Sequence, residues 1–94
     1  MHPTRTFYRA VYSLKTELKS EADPVLEALV DAYTQLKNDP RTVAAGDERQ
    51  GSEDSFVHVF YPGYVLVYRI QEDFEGEATL LRQHVYLKNV LRQK

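Results

Sequence analysis

Ser55-Phe56-Val57-His58-Val59-Phe60-Tyr61-Pro62-Gly63-Tyr64-Val65-Leu66-Val67-Tyr68-Arg69-Ile70 is the stretch that decides the fold class. β-Branched and aromatic residues, which suit a pleated surface, fill it on both sides of Pro62-Gly63. Pro-Gly is the usual central pair of a type II turn, because Pro presets one φ and Gly accepts the positive φ that follows. The expectation is a hairpin of strands over residues 55–61 and 64–71. Tight hairpins favour the primed turn types, so pairing beside this turn is expected to splay. If the turn closes the hairpin directly, residues whose numbers sum to 125 face each other. Val57, Val59 and Tyr61 then share the expected core face with Tyr64, Leu66, Tyr68 and Ile70. Phe56, His58 and Phe60 share the other face with Val65, Val67 and Arg69. Both faces are fairly apolar, which suits a central strand pair.

Downstream, Glu72-Asp73-Phe74-Glu75-Gly76 reads as a second, acidic turn, residues 77–87 as a third strand and 89–94 as a mostly polar tail. Upstream, residues 38–54 carry Asn38, Asp39, Pro40, Gly46, Asp47, Gly51 and Asp54 and read as a surface loop. Before it, Val25, Leu26, Leu29, Val30, Tyr33 and Leu36 recur at helical spacing. This predicts a helix over 24–37, with Asp23 as N-cap, Pro24 at the first helical position and Pro40 blocking continuation. Phe7, Val11, Leu14 and Leu18 form a narrower helical stripe over about 5–19. A strand over 6–12 followed by a short helix is the alternative there, since Thr6, Phe7, Tyr8, Val11 and Tyr12 are strand-favouring types. The predicted fold is α+β, one domain over 1–94: two antiparallel helices packed on a small antiparallel β-meander. Leu29, Tyr33, Leu66 and Tyr68 are its expected core.

Composition narrows the function classes. Hydrophobic residues at 43% and charged residues at 28% describe a globular chain. With no cysteine, disulfides and thiolate metal sites are excluded, which suits a cytoplasmic location. No apolar run approaches the roughly 20 residues of a membrane span, and the first residues lack the apolar stretch of a signal peptide. Twelve Lys and Arg against fourteen Asp and Glu give a net charge of −2, so net charge implies no general grip on nucleic acid.

Candidate chemistry lies on the third strand. Arg82, His84 and Tyr86 alternate, so all three point the same way, with Ala78 and Leu80 on that face. A cation, a group titrating near neutrality and a phenol suit phosphate chemistry. Arg69 joins them or is excluded according to the register of the second hairpin. The bland alternative is packing for His84 and Tyr86, and an exposed Arg82 along the sheet. His58, between Phe56 and Phe60, reads as a packed residue with one hydrogen bond. His2 reads as a solvated terminal residue. Three scattered histidines make no metal spacing, and neither a metal nor a cofactor is expected. The seven Tyr and four Phe suit either a small aromatic core or an interface.

Gly63-Tyr64-Val65-Leu66-Val67-Tyr68-Arg69-Ile70 resembles the G-x-Y-R-[LV]-[IV]-Y-x-[IV] strand of the RelE/ParE superfamily of bacterial toxin–antitoxin toxins. Both tyrosines and the aliphatic pattern match, with the glycine shifted by one. The helix followed by Asn38-Asp39-Pro40 is similar to that family's helix and acidic-proline turn, and Leu81-Arg82-Gln83-His84-Val85-Tyr86 is similar to its last strand. The resemblance covers about residues 24–88. It implies two helices on one face of a twisted antiparallel sheet (RelE-like) and an antitoxin partner. It also implies either ribosome-dependent mRNA cleavage or binding to DNA gyrase. Arg82, His84, Tyr86 and Arg69 are then the candidate catalytic residues of an endoribonuclease. Val65 stands where nuclease members have arginine, and ribosome-acting members are basic, so a degenerate, non-catalytic member also fits. The alternative class is a non-catalytic protein-interaction module or small homo-oligomer that uses its aromatic sheet.

Overall fold

The computed structural model describes residues 1–50, 55–76 and 79–93. Its elements are β1 (His2–Pro3), α1 (Arg5–Leu18), α2 (Ala22–Asn38), α3 (Pro40–Ala45), β2 (Glu48–Gln50), β3 (Ser55–Tyr61), β4 (Tyr64–Glu75) and β5 (Thr79–Arg92). The sheet order is β1-β5-β4-β3-β2. The fold is α+β, as the sequence predicts, but the sheet has five strands and is mixed, because β1 pairs parallel to β5.

The N-terminal stripe is helical, and residues 6–12 supply no strand. Thr4 sets where α1 starts. Its hydroxyl accepts from the Phe7 N–H and donates to the Leu87 carbonyl at 2.9 Å. That carbonyl also accepts the Thr4 N–H, beside the irregularity where β5 carries one residue more than β4. One side chain thus caps the helix and pins the N-terminal strand to the sheet.

The second helix starts earlier than predicted. A single 3₁₀ turn, Lys19–Glu21, runs straight into α2, so Asp23 is not its N-cap. Pro24 is the third helical residue and still costs nothing, since the first four N–H groups of a helix lack internal partners. The expected loop over 38–54 is also corrected. Asp39-Pro40 ends α2 and at once starts α3, with Asp39 accepting from the Thr42 N–H and hydroxyl and Pro40 at the first position. Residues 48–50 then pair with β3, and 51–54 lie outside the described residues. Asp39→Ala should lower the urea midpoint by an amount equivalent to about 1 kcal/mol, the usual worth of an N-cap.

The first hairpin departs from the expected register. Tyr61 faces Tyr64, but an irregularity between Val59 and Tyr61 shifts every earlier pair by one, giving His58↔Leu66 and Phe56↔Tyr68. Splaying at the Pro-Gly turn is thus absorbed as a bulge, which reverses the faces beyond it. Phe56 and His58 lie on the helix side with Leu66 and Tyr68, and Phe56 joins the core cluster. Val57 and Val59 lie on the far side with Val65, Val67 and Arg69. The acidic turn is corrected too: β4 continues through Glu72, Asp73 and Phe74 to Glu75. The polar tail is strand to Arg92, because Val90 reaches the core opposite Leu66 and the Gln93 N–H donates to the Gly63 carbonyl.

The core joins Phe7 and Leu14 of α1 and Val25, Leu29, Ala32 and Leu36 of α2 to Leu66, Tyr68, Ile70, Val85 and Leu87 of the sheet. Leu29, Leu66 and Tyr68 are buried as expected, whereas Tyr33 is half-buried at the edge of this cluster. Among the described residues no helix is long and apolar enough to cross a membrane.

Candidate functional site

The β4–β5 register settles which way the third-strand trio points. Tyr68↔Leu87, Ile70↔Val85 and Glu72↔Gln83 alternate with Arg69↔Tyr86, Gln71↔His84 and Asp73↔Arg82. The first set includes core residues beneath the helices. The second set therefore faces away from them. Arg82, His84 and Tyr86 share this far face, and Arg69 joins them directly opposite Tyr86. Arg82 is exposed, while Arg69, His84 and Tyr86 are partly buried. The expected company of Ala78 and the Leu80 side chain lies outside the described residues.

The structure adds two groups to this face: His2, expected as a solvated terminal residue, and Asp73, expected in a turn. β1 lies along the edge of β5 with His2 opposite Tyr86. The His2 ring stacks on Tyr86 at 5.0 Å between centroids. Its Nε2 lies 2.8 Å from His84 Nδ1, so one of these nitrogens donates and the other accepts. On the other side of His84, Nε2 lies 3.6 Å from Asp73 Oδ2. This carboxylate favours the His84 tautomer with hydrogen on Nε2, leaving Nδ1 to accept from His2. Neither contact has a local signature, since the two histidines are 82 residues apart in the chain.

His2 titrates below its ordinary value of 6.5, first because its ring loses water, then because the terminal amine and His84 repel the proton. Folding that depends on neutral His2 gains above the unfolded value and loses as pH falls through the lowered folded value. Docking of the N-terminal strand should therefore weaken on acidification. An NMR titration of His84→Ala should move the His2 midpoint up toward 6.5. A midpoint the same as in the parent protein counts against the pair.

A second polar cluster lies beneath the helices. The buried Asp47 carboxylate takes His58 Nδ1 at 2.7 Å on one oxygen and the Tyr68 hydroxyl at 2.5 Å on the other. Burial, then the hydrogen bond to Asp47, pushes the Tyr68 phenol upward, so it stays a donor. Asp47 sits just before β2, and these bonds tie the α3–β2 connection to the sheet. His58 is thus a half-buried residue held by a carboxylate, and that carboxylate comes from Asp47, in a segment whose composition predicts a surface loop. Nearby, Arg41 pairs with Glu72, whose other oxygen accepts from Gln83 at 3.1 Å. Both clusters serve packing first, because each spends its carboxylate on neighbouring elements. Among the described residues, no group of three or more His, Cys, Asp or Glu side chains could hold a metal ion.

The helix side also presents an apolar groove, lined by Tyr8 and Val11 of α1 and by Leu26, Val30 and Tyr33 of α2. Tyr8, Val30 and the nearby Tyr12 are exposed by 61%, 62% and 72%. On the sheet, where an aromatic surface is expected, Tyr64 and Tyr68 are buried, while the exposed Tyr8 and Tyr12 lie on α1.

Compared with protein-family models, with curated proteins and with solved structures, the chain finds no match.

Proposed function

We propose that this chain is the toxin member of a bacterial toxin–antitoxin pair, with the far face of its sheet directed at RNA. The observation that carries this reading is the convergence of Arg69, Arg82, His84, Tyr86 and His2 on one face away from the helices. The α+β layout, with α1 and α2 packed beside the antiparallel β3-β4-β5 strands, supports the RelE-like part of the reading, and the groove between α1 and α2 offers an apolar bed for an antitoxin helix.

The chemistry is transesterification. A base takes the proton of a ribose 2′-OH, its oxygen bonds to the adjacent phosphorus, and the P–O5′ bond breaks as an acid protonates the leaving oxygen. His84, in contact with His2, is the group suited to proton transfer, and Tyr86 holds a phenol in reserve as donor. Arg82 and Arg69 supply charge for the phosphorane-like transition state. Val65 limits the rate, since it occupies the place of an arginine in the resembled nucleases, and the net charge of −2 adds no attraction to RNA. Weak cleavage is the expected result on purified ribosomes.

The test is induced expression with and without a neighbouring gene for a short DNA-binding antitoxin. Growth arrest relieved by that gene supports the reading, and unimpaired growth counts against it. The second reading is a non-catalytic interaction module. It is favoured by exposed Tyr8, Tyr12 and Val30 around the helix groove, and it predicts a stable complex or homo-oligomer with no effect on growth.

A further inference from the structure

Among the described residues, the far face of the sheet holds two buried polar atoms without partners, Ser55 Oγ and Arg69 Nε. Ser55 is only 5% exposed. The two residues are direct cross-strand neighbours, and Arg69 in turn faces Tyr86. One row therefore crosses the sheet as Gln50, Ser55, Arg69, Tyr86 and His2. Glu48, Val57 and Val67 flank it on one side, and Gln71 with His84 on the other.

An unsatisfied buried donor costs free energy, and two side by side are rarer still in a native fold. Arg69 Nε can only donate, so it asks for an acceptor rather than for any polar group. The Ser55 hydroxyl can donate as well, and so can the Tyr86 phenol next in the row. Arg82 adds positive charge four residues along β5, and the hydrogen-bonded His84 lies between it and Tyr86. Among the described residues two carboxylates lie on this stretch of the face: Asp73, opposite Arg82 and beyond His84, and Glu48 on the edge strand, opposite Val57 and one strand removed from Arg69. The valine row lowers the local dielectric and strengthens any charged bond made beside it.

We infer that Ser55, Arg69 and Tyr86 form a cradle for a phosphoryl oxyanion. Donors from three strands outnumber the two oxygens of a carboxylate and match the three or more oxygens of a phosphoryl group. The cradle deepens the functional reading above by naming which residues hold the phosphate, yet it rests on its own observation, the two orphaned donors.

The experiment titrates inorganic phosphate, against chloride at equal ionic strength, into the full chain. It follows the melting temperature and the Arg69 Nε–Hε NMR resonance. Phosphate should raise the first and move the second. Arg69→Gln should weaken binding roughly tenfold to a hundredfold, and Ser55→Ala about threefold. Without ligand, Ser55→Ala should melt no lower than the parent, because it deletes a hydroxyl that bonds to nothing. A clear drop there, or no phosphate-specific response in the parent, overturns the cradle. Since Arg69→Gln can disturb packing, Arg69→Lys serves beside it: it keeps the charge, loses the fork, and should still bind several-fold more weakly. A short single-stranded oligoribonucleotide forms the second arm. Tighter binding than phosphate with the same Arg69 dependence assigns the phosphoryl group to a nucleic-acid strand. Phosphate binding alone assigns it to a small phosphorylated molecule. Phosphate binding without growth arrest on expression keeps the cradle and removes the toxin reading. Arrest without phosphate binding does the reverse.

Discussion

Alanine at both Arg82 and His84 relieves the growth arrest that the proposed function predicts, and it does so in a folded protein. Arg82 is exposed and His84 partly so, and neither belongs to the core cluster. Truncating such positions usually changes stability by no more than about 0.5 kcal/mol. Losing a positioned proton-transfer group costs roughly 10²–10⁴-fold in rate, and losing the cation removes charge stabilisation of the same step. Circular dichroism and the melting temperature should match the parent, while arrest and cleavage disappear. Arrest that persists in the folded double variant removes these residues from the mechanism. It then points to a binding surface elsewhere, of the kind gyrase-directed toxins use. Robust mRNA cleavage by the parent on purified ribosomes runs against the expected weakness that Val65 and the net charge of −2 impose.

Leu66→Ala has the largest expected effect on stability. Leu66 is fully buried between His58 and Val90 on its neighbouring strands and beneath the helices. Truncation there should cost roughly 2–5 kcal/mol, from lost transfer free energy plus the cavity left behind. That is a large share of the roughly 5–15 kcal/mol that holds a typical domain. The comparison is Val59→Ala on the far face, where the side chain is 56% exposed and the expected cost is about 0.5 kcal/mol or less. Urea midpoints separate the two. Equal shifts, or none for Leu66→Ala, show the assignment of faces to be wrong.

Much of this protein was legible locally. The spacing of Val25, Leu29 and Leu36 marks α2, and the stripe through Phe7 and Leu14 outweighs the strand-favouring types around it, because periodicity decides which residues can reach a core. The alternation of Arg82, His84 and Tyr86 places them on one face of β5 whatever lies beside it. Pro62-Gly63 marks the hairpin, and Gly63 does adopt the positive φ, at 86°, that a type II turn needs. These features depend on dihedral preferences and on side-chain periods, both of which are set within a few residues.

The remaining features depend on neighbours distant in the chain. The bulge before Tyr61 exchanges the faces of Phe56 and Val57, because a one-residue slip inverts every side chain and the buried face selects the slip. His2–Pro3 and Glu48–Gln50 are too short to signal themselves, and they become strands only because β5 and β3 offer open edges. Asp39-Pro40 carries the same letters as a helix stop and as a helix start, and packing of Pro40 and Ala44 selects both roles at once. The pairing of His2 with His84, the seat of Arg69 beside Ser55, and the burial of Asp47 under His58 and Tyr68 each join distant segments. Local spacing marks the longer elements α1, α2, β3, β4 and β5, while β1, α3 and β2 carry no signal of their own. Register, edge pairing and the company kept by each charged group came from the fold, since burial and hydrogen-bond satisfaction are properties of the assembled chain.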